Sequence, residues 1–254
     1  MNVRNQVDFL VHGRYALFTD PITRVGAEKS TYQLPTYQAM KGVVESVYWK
    51  PTITWIVDRL RIMSPIRTEA KHVRPINFSS DGNTLSIYTY LSEPVYQVQA
   101  HFIWNEHRPA FERDRDENKH HNIARRMIER GGRRDVYLGA RECQAYVEPC
   151  KFGEGKGFYD DSGPLDFGLM FHGFDYPDET GRDMLAVRFW RPRMVDGVVD
   201  FPAPWDCERS LCRDVRPMRK KEFTEFSGLE EPALRELIKE VEASGLDAGL
   251  VRDL

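Results

Sequence analysis

The stretch Val95-Tyr-Gln-Val-Gln-Ala-His-Phe-Ile-Trp104 carries the clearest strand pattern in this 254-residue chain. Apolar and aromatic side chains occupy every second position, which is the period of a strand with one face against a core. Gln97, Gln99 and His101 point to the opposite face. The pattern predicts a strand over 95–104 with its apolar face on the core.

The segments on either side of this strand predict the order strand, helix, strand, strand, helix, strand. Thr36 is a start signal for the first helix, which is expected to continue to Lys50 because Pro51 follows. The second helix opens within 116–122 and stops at Gly131. The strands are predicted at 7–18, 52–63, 95–104 and 135–147, with a shorter candidate at 85–91.

This order is that of an α+β, ferredoxin-like sandwich of the kind found in RNA-recognition domains. Residues 1–149 are predicted to form it, with the polar segment 67–83 as an exposed excursion. After residue 149, strand-like runs predict a small antiparallel β subdomain over 150–221. Residues 222–254 are predicted to be an acidic tail, with a helix at 230–243.

The composition is that of a globular protein, with 41% hydrophobic residues and a formal net charge of -3. Residues 222–254 hold nine acidic and three basic residues, so the rest of the chain is mildly basic although the whole chain has a negative net charge. A nucleic-acid partner therefore needs a localised basic patch. No apolar run approaches the roughly 20 residues that cross a bilayer, and the start has no signal-peptide pattern, so we expect a cytoplasmic protein without membrane contact.

Metal and cofactor signals are weak throughout the sequence. The four cysteines (Cys143, Cys150, Cys207 and Cys212) match no common zinc spacing and are expected to be reduced thiols, with a metal site as the weaker alternative. Asp175, Asp178 and Glu179 could hold Mg²⁺, but Gly181 favours a solvated turn there. The glycine-rich 152–157 segment is expected to be a hairpin turn rather than a phosphate cradle. No cofactor is expected.

The strongest chemical signal lies in the window 113–141, where nine Lys and Arg residues outnumber five Asp and Glu residues. Lys119, His120 and His121 stand side by side at the start of its helix. They either begin an ordinary solvated helix or bind a phosphate ligand. Cleavage of RNA by its own 2'-hydroxyl needs a base, an acid and a cation beside the phosphate, and histidine, lysine and tyrosine can supply all three.

Six segments closely resemble the CRISPR-associated RAMP endoribonucleases of subtype I-C systems, the d variant of the fifth Cas family. They are YALFTDP (15–21), PTYQA (35–39), ESVYWKP (45–51), GRRD (132–135), LGARECQ (138–144) and FHGFDYPDETG (171–181). The resemblance extends from Asn5 to Pro217. It implies a ferredoxin-like domain with a small β-rich region, and metal-independent cleavage of precursor CRISPR RNA at the base of the repeat hairpin. The implied products carry a 2',3'-cyclic phosphate and a 5'-hydroxyl.

The resemblance also implies roles for individual residues. By motif, the catalytic residues fall on Tyr48 (a base or an orienter of the 2'-hydroxyl), Lys119 (the phosphate stabiliser) and His120 (the proton-transfer residue), and His121 is an alternative to His120. The expected RNA-binding residues are His121, Arg133, Arg134, Lys50 and Lys156.

The implied partners are CRISPR repeat RNA, as precursor and as the 5' handle of the mature RNA, and the other subunits of the type I-C interference complex. The sequence leaves open whether duplex DNA is a second ligand. The rival hypothesis is a non-catalytic scaffold that grips the processed handle. One geometric expectation bears on the active site. In a sandwich with parallel helices, Tyr48 and Lys119 would lie at opposite edges unless the 105–118 loop brings them together.

Overall fold

The computed structural model describes residues 4–21, 23, 28–74 and 85–221. The predicted acidic tail and its helix lie outside these residues, as does the 75–83 part of the predicted excursion. The chain divides into one compact unit, Met1–Arg219, and a second, Lys220–Leu254. No helix in the described ranges is long and apolar enough to cross a membrane.

The first unit is mostly β-sheet with few helices, a mixed α+β architecture. Its strands are β1 (Gln6–Gly13), β2 (Tyr15–Ala16), β3 (Lys29–Ser30), β4 (Ile53–Ile62), β5 (Thr68–Val73), β6 (Ser86–Ser92), β7 (Val95–Trp104), β8 (Val136–Tyr137), β9 (Gln144–Pro149), β10 (Pro164–Asp166), β11 (Met170–Asp175), β12 (Met184–Trp190), β13 (Arg193–Val195), β14 (Val198–Asp200) and β15 (Cys212–Pro217). The α-helices are α1 (Tyr37–Val47), α2 (Glu117–Glu129) and the short α3 (Pro177–Thr180). Single 3-10 turns occupy Pro109–Asp114, Pro204–Asp206 and Arg209–Leu211.

An eight-stranded sheet in the order β10-β13-β14-β4-β7-β1-β9-β8 forms the centre of the unit. The predicted strand at 95–104 is confirmed as β7, between β4 and β1 and antiparallel to both. Val98 and Ala100 are completely buried, as the alternation predicts. Gln97 and Gln99 on the opposite face are buried as well. Gln99 accepts from Arg59 and donates to Asp8, so its polar groups are paired.

The strands after residue 149 do not form one small sheet. β10, β13 and β14 extend the central sheet, since Val199 of β14 pairs with Leu60 of β4. Only β11, β12 and β15 form a separate three-stranded sheet. The strand-like runs predicted β11 to β14 but missed β10 and β15, and they carry no information about which sheet edge each strand joins. The predicted domain boundary at 149/150 stays a prediction.

The polar segment 67–83 was wrongly predicted to lack a strand. Its first part forms β5, which pairs antiparallel with β6 in a third sheet that also contains β2 and β3. β5 contacts only one strand, and most of its residues are exposed. An edge strand of this kind carries charged residues such as Glu69 and Lys71 instead of an apolar alternation, which is why the pattern missed it.

Helix α1 begins where the sequence predicts but ends earlier. The Thr36 hydroxyl accepts a hydrogen bond from Ala39 N at 3.1 Å and caps its first turn. The helix stops at Val47 instead of Lys50, and Tyr48 is extended (φ −158°, ψ 128°). The carbonyls of Ser46 and Val47 accept hydrogen bonds from backbone N–H groups of the loop after α2. These bonds replace the helical ones that the last turn would have used.

Helix α2 packs one narrow stripe against the sheet. The Asp116 carboxylate caps it by accepting from Lys119 N at 3.1 Å. Its buried residues are His120, Ala124 and Ile128, four positions apart. Gly131 has a φ of +81°, which ends the helix as predicted. The stripe shows that His120 belongs to the buried face of the helix.

We expect Gly139→Ala to destabilise the protein far more than Gly153→Ala. Both glycines have nearly the same positive φ, +89° and +88°, so each substitution carries the same strain of about 1–2 kcal/mol. A Cβ at Gly139 would lie 2.0 Å from the Leu17 carbonyl oxygen, whereas a Cβ at Gly153 would meet nothing within 4 Å. Chemical denaturation should show at least about 2 kcal/mol of additional loss for Gly139→Ala. Equal losses in the two variants would contradict the close packing of β2 on the β8–β9 turn.

Candidate active site

Tyr48 and His120 meet in the interior of the protein. The Tyr48 hydroxyl lies 2.8 Å from His120 Nδ1, although the residues are 72 positions apart in the sequence. Tyr48 is placed by the early end of α1, and His120 lies on the buried stripe of α2. Two of the three expected catalytic residues are therefore in direct contact, and the chain end of α1 lies beside the start of α2 at this point.

The surroundings of this pair are aromatic and closed to solvent. His120 is 0% exposed and Tyr48 is 2% exposed. The rings of Phe102 and Trp104, at the end of β7, lie edge-on to the His120 ring with centroids 6.1 and 5.7 Å away. Trp55 Nε1 donates to the Tyr48 carbonyl at 2.7 Å and fixes the backbone there. Neither residue of the pair reaches the surface in this structure.

Asp114, at the end of the 3-10 turn, contacts the other side of His120. The His120 Nε2 group lies 2.8 Å from the Asp114 carbonyl oxygen and 3.4 Å from its carboxylate. A carbonyl oxygen only accepts hydrogen bonds, so Nε2 carries a proton. In the neutral ring, Nδ1 is then the acceptor for the Tyr48 hydroxyl. The two contacts define the Nε2–H tautomer of His120.

The Asp114 carboxylate also holds Lys119. The Lys119 ammonium forms an ion pair with one carboxylate oxygen, and the Thr52 hydroxyl donates to the other at 2.6 Å. The Lys119 side chain is 47% exposed, so it is the member of the predicted catalytic set that reaches solvent. The site thus consists of a closed tyrosine–histidine pair beside an accessible ammonium group.

Electrostatics keep the Tyr48 hydroxyl protonated. Burial, and secondarily the nearby Asp114 carboxylate, raise the pKa of Tyr48 to about 12, while the positive charge of Arg133 opposes the shift. Burial acts to raise the pKa of Asp114, but hydrogen bonds from Lys119 and Thr52 and the charge of His120 outweigh it, and the pKa is lowered from its usual value. Near neutral pH, Tyr48 is a hydrogen-bond donor and Asp114 is an anion.

His121 points away from the pair, into a different recess. It lines a groove of about 360 Å³ between α2 and the β1–β9 edge, together with Arg125 and Lys151. Its Nδ1 atom is buried and has no hydrogen-bond partner. Burial, followed by the charges of Arg125 and Arg4, lowers the pKa of His121, so the ring is neutral at pH 7. The structure therefore separates the two histidines that the sequence could not distinguish.

The other expected RNA-binding residues fall into two groups. Arg133 and Arg134 are exposed and close to the site, because their backbone N–H groups bond to the last carbonyls of α1. Lys50 is half-buried, two residues before Thr52. These three residues surround the site at the junction of α1 and β4.

Lys156 lies at the far end of β4. It is exposed in a loop where Phe158 N donates to Met63 O, just beyond the last residue of that strand. β4 is 10 residues long, so its two ends lie roughly 30 Å apart. The structure therefore does not bring Lys156 to the other residues.

Two residues of the site, Thr52 and Asp114, carried no sequence signal. Thr52 looked like the start of a strand, and Asp114 like one of several acids in a polar loop. The burial of His120 did have a signal, because it lies four residues before the inward-facing Ala124. The acids considered for Mg²⁺ are paired with cations instead: Asp175 with Arg188, Asp178 with Arg108 and Glu179 with Lys41.

Comparison with known proteins supports the family suggested by the six segments. A family model described as CRISPR-associated protein (Cas_Cas5), for the Cas5d group, matches residues 7–202. A protein of Mannheimia succiniciproducens named CRISPR pre-crRNA endoribonuclease Cas5d is 24% identical over 236 residues, covering 78% of this chain and 95% of that protein. A protein of the same name from Thermus thermophilus is 26% identical over 225 residues, covering 76% and 90%.

Two solved structures share the fold. One, titled as the crystal structure of a CRISPR-associated protein, has a TM-score of 0.69 and 35% identity, covering 82% of this chain and 96% of its own. The other, the functionally uncharacterized protein SMU1763c of Streptococcus mutans, has a TM-score of 0.64 and 31% identity with the same coverage. With a family model that spans most of its length, the chain belongs to the Cas5d family of CRISPR-associated proteins.

Proposed function

We propose that this protein is a metal-independent endoribonuclease that cleaves precursor CRISPR RNA within the repeat, at the base of its hairpin. The products would carry a 2',3'-cyclic phosphate and a 5'-hydroxyl. The observation that carries the proposal is a series of contacts, in which Tyr48 bonds to His120 while His120 and Lys119 both bond to Asp114, in a chain whose curated relatives are named pre-crRNA endoribonucleases.

A ferredoxin-like core is part of this proposal. The strands β1, β4, β7 and β9 lie in the order β4-β7-β1-β9, antiparallel throughout. In the chain, α1 connects β1 to β4 and α2 connects β7 to β9. This βαββαβ sequence supports a ferredoxin-like domain, which the small sheets and β10, β13 and β14 extend.

The three residues have different tasks in the proposed reaction. Lys119 is accessible and would stabilise the charge that develops on the pentacovalent phosphate. His120, as an imidazolium, would donate its Nε2 proton to the leaving 5'-oxygen and become a neutral ring. The high pKa of Tyr48 makes it an orienter of the His120 ring rather than a base, so the proton of the attacking 2'-hydroxyl would go to solvent water. A hydroxyl both donates and accepts, so it can serve either protonation state of the ring.

One step must precede this chemistry. His120 is fully buried, and the Asp114 carbonyl occupies its Nε2 group. Binding of RNA therefore has to move the Asp114 peptide away from Nε2. Such a local rearrangement at the end of a 3-10 turn is common when an enzyme completes its site on substrate binding.

After cleavage the protein would stay on the 5' handle as a subunit of the interference complex. The exposed Arg133 and Arg134 would contact the RNA backbone near the site, and the exposed Arg125 and Arg126 of α2 extend this basic surface.

A non-catalytic scaffold that grips the processed handle is the second candidate. The observation in its favour is the complete burial of His120 with both ring nitrogens bonded. In that case the Tyr48–His120 pair would be a satisfied structural contact, and only the exposed cations would meet RNA.

Wild-type protein is expected to cleave labelled repeat RNA in EDTA, because protein side chains supply both the proton transfer and the cation. Replacement of the scissile ribose by 2'-deoxyribose should abolish cleavage, since the attacking hydroxyl is then absent. Gel analysis with end-group determination measures both results. Loss of cleavage on chelation, or survival of cleavage in the deoxy substrate, would overturn the mechanism.

Lys119→Ala and His120→Gln are expected to reduce the single-turnover cleavage rate by about 10²- to 10⁴-fold. His172→Gln is the matched control. His172 is also 0% exposed, with Nε2 bonded to the Pro202 carbonyl and Nδ1 to Arg188, but it belongs to the separate three-stranded sheet. Its loss should affect thermal stability without a comparable effect on rate. Undiminished cleavage by Lys119→Ala and His120→Gln would favour the scaffold.

A further inference from the structure

Asp114 is a residue to which neither the sequence pattern nor the family resemblance gave a role, yet it contacts two of the three candidate catalytic residues. Its carboxylate binds the Lys119 ammonium, and lies 3.4 Å from His120 Nε2. Its backbone carbonyl binds the same Nε2 at 2.8 Å. We propose that Asp114 is the positioning residue of this site, which aligns the Lys119 ammonium and holds the Nε2–H group of His120. The proposal rests on the function proposed above.

The carboxylate itself is firmly held. The Thr52 hydroxyl donates to it at 2.6 Å from the chain just before β4, and Thr52 is 1% exposed. Since hydrogen bonds and the neighbouring positive groups also lower the pKa of Asp114, the side chain remains anionic through the neutral pH range. A fixed negative charge beside the Lys119 ammonium and the Nε2–H donor of His120 orients both of them.

The loop that carries Asp114 is also fixed at its base. Arg108, which is 6% exposed, forms an ion pair with Asp178 at 3.0 Å. Asn105 Nδ2 donates to the Asp178 carbonyl at 2.9 Å, and Arg115 donates to the Asn105 carbonyl at 3.2 Å. These contacts tie both ends of the 3-10 turn to each other and to α3. The loop is therefore fixed at its base before RNA binds, which leaves the Asp114 peptide as the part that moves.

The backbone and side chain of Asp114 can act independently. Rotation of the peptide after Asp114 would release its carbonyl from Nε2 and make room for the leaving oxygen. The carboxylate can stay on Thr52 and Lys119 during that rotation. A lysine ammonium has three donors, so Lys119 can bind a phosphate oxygen and still contact Asp114. Asp114 does not contact the RNA in this arrangement. It influences the reaction through Lys119 and His120, which it holds in position.

The test compares Asp114→Asn with Glu112→Gln. Asparagine keeps the shape and the Thr52 hydrogen bond but removes the charge. Glu112 is an exposed acid in the same 3-10 turn, so its substitution removes one charge without touching the site. Single-turnover rates and RNA dissociation constants are measured for both variants and for wild-type protein on repeat RNA.

Asp114→Asn should cleave about 10- to 100-fold more slowly, with an RNA dissociation constant that is unchanged or lower. The rate should fall without loss of RNA affinity, because Asp114 aligns Lys119 and His120 and does not contact the RNA. Glu112→Gln should match wild-type protein in every measurement. A merely structural Asp114 would weaken RNA binding together with the rate.

An unchanged or faster rate in Asp114→Asn would overturn the proposal while leaving the endonuclease function intact. A slower rate with a correspondingly higher RNA dissociation constant would also overturn it. If neither wild-type protein nor Glu112→Gln cleaves repeat RNA, the proposed function itself fails, and the positioning role fails with it.

Discussion

The hydrogen bond between the Tyr48 hydroxyl and His120 Nδ1 is the constraint on which the candidate site depends. Both groups are buried, and a buried polar group without a partner costs about 1–3 kcal/mol. Each residue therefore requires the other. The bond joins the end of α1 to the first turns of α2, and these elements are distant in sequence. The aromatic rings at the end of β7 then enclose the pair.

The early end of α1 makes this contact available. If the helix continued to Lys50, the backbone of Tyr48 would have a helical conformation. Instead, Tyr48 is extended, and the backbone N–H groups of Arg133 and Arg134 satisfy the last carbonyls of α1. The loop that follows α2 thus helps to place Tyr48, which in turn contacts His120 at the beginning of α2. The same backbone bonds bring two exposed arginines close to the site.

Much of this fold could be predicted from the sequence, because periodicity reports which face of an element is buried. β7 has the predicted bounds, and α1 starts at its predicted cap. The end of α1 could not be predicted, since it depends on hydrogen bonds from residues 133 and 134. The sheet membership of β10, β13 and β14 depends on tertiary pairing, and β5 is a polar edge strand.

The residues of the candidate site also divide into those that could be predicted from the sequence and those that required the structure. The chemistry of Lys119 and His120 was visible as residue types, and Tyr48 came from the family resemblance. Asp114 and Thr52 were not visible, because their importance arises only from the packing of the 3-10 turn on the start of β4. The choice between His120 and His121 likewise required the structure, since adjacent residues on a helix face directions about 100° apart.

The resulting picture is a preorganised site that is closed before RNA binds. Its most direct test is nitrogen NMR of the His120 ring in the RNA-free protein, with the ring signals assigned by comparison with His120→Gln. The account predicts the Nε2–H tautomer, with an unprotonated Nδ1 whose signal shifts in Tyr48→Phe while the Nε2 signal persists. An Nδ1–H tautomer, or an Nδ1 signal that is insensitive to Tyr48→Phe, would contradict the account.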